Sequence, residues 1–66
     1  MKITLNGKEK EFQNIENLTG IIQQFGKHQS HVIAEVNGEI IKSLNWNNTP
    51  IKDGDTIELV NFVGGG

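Results

Sequence analysis

The sequence predicts a two-layer α+β domain, a mixed sheet covered on one face by a single helix. Three observations predict it. Apolar residues alternate with period two at both ends of the chain and in its middle. The spacing switches once, over residues 18–25, to the i, i+3, i+4, i+7 pattern of a helix. Two Asn-Gly pairs stand between alternating segments, where hairpins need tight turns.

The length sets the scale. With 66 residues and no cysteine, the chain makes one small domain without disulfides or thiolate chemistry. A domain of this size buries only about 60% of the surface its unfolded chain exposes, so the core is thin. Leu, Ile, Val and Phe total 20 of 66 residues, enough to fold. The net charge is -2, and all six basic residues are lysine. No basic stripe marks a nucleic-acid binder. No apolar stretch approaches a membrane span or a signal sequence, so the cytoplasm is the expected compartment.

In order along the chain, Ile3 and Leu5 alternate in a first strand that ends at Asn6-Gly7, a turn pair tolerant of positive φ. Lys8 to Gln13 returns as a polar strand near an edge, with Phe12 as its apolar contact. Leu18, Ile21, Ile22 and Phe25 share one stripe of a helix. Asn17 or Thr19 can cap its start, and Gly26 can end it. Gly20 costs that helix about 1 kcal/mol relative to Ala. Val32 to Val36 is the most strand-like run, joined through Asn37-Gly38 to Glu39–Lys42. Residues 43–49 read as irregular, anchored by Leu44 and Trp46, and residues 50–55 carry turn chemistry centred on Gly54. Thr56 to Phe62 forms the last strand.

The order β-β-α-β-β-β, with inward pairs Ile3/Leu5 and Ile57/Leu59, places the first and last strands side by side in the sheet centre. That is the ubiquitin-like β-grasp arrangement. Residues 1–62 form the one domain, and residues 63–66 leave it as a glycine tail.

Catalytic constellations are missing from the pattern. His28 and His31 lack a third ligand, so no metal site is expected. Asp53 and Asp55 flank Gly54 but lack the bidentate Glu of a calcium loop, and they read as turn formers. Glu35 and Glu58 could pair as surface carboxylates. Ser30 and Ser43 have no adjacent base, and no phosphate-binding glycine motif occurs. No catalytic residue and no cofactor of its own are expected.

The chain end is the exception. Gly64, Gly65 and Gly66 follow the last strand directly, and without Cβ atoms such a tail is thin. Residues 63–66, extended, reach roughly 13 Å, enough to enter a narrow channel in another protein. A carboxylate is a poor electrophile, so its use requires activation by a partner, as an acyl-adenylate. Alternation turns Glu58, Val60 and Phe62 away from the core, giving an exposed apolar patch just before the tail. Coverage of that strand by the loop carrying Trp46 is the competing expectation. Asp53, Asp55 and Glu58 are expected to steer the domain to basic partner surfaces.

Val36-Asn37-Gly38-Glu39-Ile40-Ile41, then residues 53–60, then Phe62-Val63-Gly64-Gly65-Gly66 resemble the ThiS family of sulfur carriers. The resemblance implies a β-grasp fold and a role in forming the thiazole of thiamine. It implies that Gly66 is adenylated by an E1-like adenylyltransferase (ThiF-type) using ATP and magnesium. Sulfur from a desulfurase pathway then gives a thiocarboxylate, which donates to a thiazole synthase (ThiG-type). Val60, Phe62, Glu58 and Val63 would form the docking surface, with neither nucleic acid nor membrane as a partner. Lys42, where such carriers often have Arg, and the Asn-rich segment after it depart from the pattern. Carriage for molybdopterin or tRNA thiolation, or an interaction module whose terminus is never activated, remain the alternatives.

Overall fold

The computed structural model describes residues 1–25 and 31–61. Among these residues five strands and one α-helix follow in chain order: β1 (Lys2–Leu5), β2 (Lys8–Glu11), α1 (Leu18–Phe25), β3 (Val32–Val36), β4 (Glu39–Ile41) and β5 (Thr56–Asn61). A 3-10 helix, Ser43–Asn48, lies between β4 and β5. The sheet order is β2-β1-β5-β3-β4, with β1 and β5 parallel and every other pair antiparallel. This is the ubiquitin-like β-grasp layout, with the last strand at its centre.

Local chemistry explains each junction. Asn6 and Gly7 adopt φ of 51° and 81°, and Asn37 and Gly38 adopt 53° and 87°, the left-handed pair that a two-residue hairpin requires. Asn17 caps α1: its Oδ1 accepts the Gly20 backbone N–H at 3.2 Å. Gly20 has a packing reason as well. A Cβ there would lie 3.2 Å from Ile15 Cδ1, so Ile15 occupies the space that the glycine leaves. Gly26, the expected helix end, lies outside the described residues.

Ile3 and Leu5 of β1, and Ile57 and Leu59 of β5, pack under Leu18, Ile21 and Ile22 of α1. Trp46 and Ile51 close one end of this layer, and the Trp46 indole N–H donates to the Ile41 carbonyl at 3.0 Å.

Three expectations need correction. The polar strand stops at Glu11 and does not reach Gln13, because Phe12 turns inward to pack on the core while its N–H donates to the Met1 carbonyl. Residues 43–48 are a regular 3-10 helix, and within it Leu44 is no anchor, being 76% exposed; Trp46 alone holds the segment down. Asp55 is no steering charge. It is buried, with Oδ2 accepting the Lys52 N–H at 2.8 Å and Oδ1 accepting from Asn37 Nδ2 at 3.1 Å.

Candidate functional site

Strand β5 presents two unlike faces. Ile57 and Leu59 are buried beneath α1, and alternation therefore turns Thr56, Glu58 and Val60 to the opposite, uncovered face. Val60 is 55% exposed. Trp46 lies in the core cluster with Leu59 and Ala34, so the loop that carries it leaves Val60 open.

The register shows what surrounds Val60. Ile33 of β3 stands directly opposite it, and Glu35 of β3 stands opposite Glu58. On the next strand, Ile40 of β4 stands opposite Glu35. Ile33 is 44% exposed and Ile40 64%. The uncovered face thus carries three exposed apolar side chains around a Glu35–Glu58 pair. Like charges directly opposite one another destabilise a sheet. The ion pair found among the described residues, Met1 N to Glu11 at 3.3 Å, lies away on β1–β2 and compensates neither carboxylate.

Of the docking residues expected from sequence, Val60 and Glu58 lie side by side on this face. Phe62, Val63, Gly64, Gly65 and Gly66 lie outside the described residues. Ile33 and Ile40 belong to the same patch and were missed. Ile33 was legible, since it sits between two inward residues of one strand; Ile40 needed the pairing of β4 onto β3.

The remaining candidates sort by surroundings. Asp53 Oδ1 accepts the Lys2 N–H at 2.6 Å and the Gly54 N–H donates to the Lys2 carbonyl, so this turn clips β5's lead-in to β1. Ser43 is exposed at the start of the 3-10 helix, and His28 and Ser30 lie outside the described residues. Among the described residues no three His, Cys, Asp or Glu side chains converge as metal ligands. No helix there is long and apolar enough to cross a membrane.

The five-stranded mixed sheet in this order, packed on one helix with its other face open, defines a ubiquitin-like β-grasp protein. The sequence model of the ThiS family matches residues 3–66, and the chain belongs to that family. A sulfur carrier protein ThiS from Bacillus subtilis is 32% identical, covering 97% of this chain and 98% of that protein. A thiazole synthase from Paramagnetospirillum magneticum is 32% identical across the whole chain, which spans only 20% of that longer protein. The crystal structure of a thiamine biosynthesis protein (ThiS) from Geobacter metallireducens superposes with a TM-score of 0.84 at 33% identity, each chain fully covered.

Proposed function

We propose that this ThiS-family sulfur carrier of thiamine biosynthesis works through its terminal carboxyl group, with Gly66 as the loaded residue. A carboxylate oxygen attacks the α-phosphorus of ATP, and pyrophosphate leaves. That step belongs to an E1-like, ThiF-type adenylyltransferase with its magnesium. Hydrosulfide, released from a desulfurase persulfide by a thiol reductant that ends as a disulfide, then attacks the acyl carbon and AMP leaves, giving the thiocarboxylate. A ThiG-type thiazole synthase takes the sulfur. The carrier is a co-substrate with no catalytic group or cofactor of its own, and we place it in the cytoplasm.

One observation carries this reading most directly: the family match runs through residue 66 and so includes the glycine end. The thiazole synthase relative supports the choice of acceptor, because a segment like this chain occurs within that protein. The uncovered face supports the docking role. Val60, Ile33 and Ile40 offer apolar contact, Glu58 and Glu35 offer charge, and in sequence β5 is followed by Phe62, Val63, Gly64 and Gly65.

The test is intact mass after incubation with the adenylyltransferase, ATP, magnesium and a sulfur donor. Loading replaces one oxygen by sulfur, and a chain lacking Gly65 and Gly66 stays unloaded while keeping its fold. An unchanged mass with a partner that loads another ThiS protein refutes the reading, as does a working chain that continues beyond Gly66.

A further inference from the structure

We infer that the two Asn-Gly turns have different chemical fates: Asn6 is a site of spontaneous deamidation, and Asn37 carries the same chemistry held shut by Asp55. This inference is independent of sulfur carriage.

Both asparagines are exposed, and each precedes an exposed glycine around whose Cα a built Cβ would meet nothing within 4 Å. Asn14 shares their left-handed φ, at 61°, but is followed by the branched Ile15. At an Asn-Gly pair the glycine nitrogen attacks the asparagine Cγ. The N–Cγ bond forms, the Cγ–Nδ2 bond breaks, and ammonia departs with the glycine's amide proton. Water then opens the succinimide ring at either carbonyl, leaving aspartate or isoaspartate. Ring closure requires the backbone to rotate out of the left-handed turn, so whatever ties the side chain to the fold slows the reaction.

The ties differ. Asn6 is held through Oδ1, which accepts the Leu59 N–H at 2.7 Å. Asn37 is held through both amide atoms. Its Oδ1 accepts the Thr56 N–H at 2.9 Å, and its Nδ2 donates to Asp55 Oδ1 at 3.1 Å. These partners fix the amide's orientation, since a carboxylate only accepts and an N–H only donates. Asp55 is itself buried and tied to the Lys52 N–H, so it cannot follow a moving side chain. The leaving group of Asn37 must therefore break a charge-assisted hydrogen bond that Asn6 lacks, which slows Asn37 by about tenfold or more. The products differ too. A carboxylate at position 37 would face Asp55, whereas one at position 6 still accepts from Leu59.

The experiment incubates the full chain under warm, mildly alkaline conditions and maps aspartate and isoaspartate at both positions by mass spectrometry. Reaction through globally unfolded molecules adds equally to both rates and pulls their ratio toward one. The native chain and Asp55→Asn are therefore each incubated at a temperature where circular dichroism shows them fully folded. We expect Asn6 to react about tenfold faster than Asn37 in the native chain, and the two rates to converge in concentrated urea. In Asp55→Asn the native ratio falls several-fold toward one. A native ratio near or below one, a ratio unchanged in Asp55→Asn, or an Asn6 that stays intact while the urea-unfolded chain converts, each overturns the inference.

Discussion

Replacing Asp55 by alanine tests whether one carboxylate ties the hairpin turn of β3–β4 to the turn that launches β5. The side chain accepts two hydrogen bonds, from the Lys52 N–H at 2.8 Å and from Asn37 Nδ2 at 3.1 Å, both partly buried. Hydrogen bonds to a charged group are worth about 1.5–3 kcal/mol each, and the donors left behind lose their partner. Lys52 is exposed enough for water to rescue part of the loss, so we expect about 3 kcal/mol in all. For a 66-residue domain the whole stability is roughly 3–10 kcal/mol, so the variant stands near the edge of folding. Asp55→Asn can still accept from Lys52 but turns an amide toward Asn37, and it loses about half as much. Urea titration followed by fluorescence of Trp46, the sole tryptophan and buried in the core, measures both. A loss below about 1 kcal/mol in Asp55→Ala would show that the carboxylate is ordinary surface charge, and the network argument would fail.

Other expected outcomes are smaller or functional. Gly20→Ala gains about 1 kcal/mol of helix propensity but meets Ile15 Cδ1 at 3.2 Å. Ile15 is only half-buried and can shift, so denaturant titration is expected to show a net gain below that value. Glu58→Gln relieves the repulsion from Glu35 and raises stability by a few tenths of a kcal/mol in denaturant titration, while slowing the proposed adenylation at low salt. Val60→Asp leaves the circular dichroism spectrum intact, because the side chain is 55% exposed, yet weakens partner binding at least tenfold by calorimetry.

The elements written in local periodicity and turn chemistry were legible. Ile3/Leu5 and Ile57/Leu59 announce their own inward faces, and Asn6-Gly7 and Asn37-Gly38 name their hairpins. What escaped depends on contacts between distant residues. Leu44 and Trp46 look equivalent in sequence, but only Trp46 reaches both the core and the Ile41 carbonyl. Asp53 and Asp55 likewise look equivalent, until the fold folds one carboxylate inward against Asn37 and leaves the other at the surface. Ile40 joins the exposed face because the two-residue Asn37-Gly38 turn sets it opposite Glu35, whereas β4 itself, Glu39-Ile40-Ile41, has two adjacent apolar residues and no alternation to say which faces out.

The same distant contacts would suit β5 to the proposed hand-over of the chain end to another protein. It is bonded on both sides, parallel to β1 and antiparallel to β3, and so has no free edge to peel from. Beyond that ladder, both hairpin asparagines reach across to it: Asn6 to the Leu59 N–H, Asn37 to the Thr56 N–H. Each fixed bond raises the cost of fraying from the end. Under the proposed loading, an enzyme that takes hold of the chain end would pull along this strand. With Ile57 and Leu59 seated under α1 and asparagines pinning two of its amides, that pull is resisted by the whole core. The exposed face with Val60 would therefore keep its shape for the proposed docking.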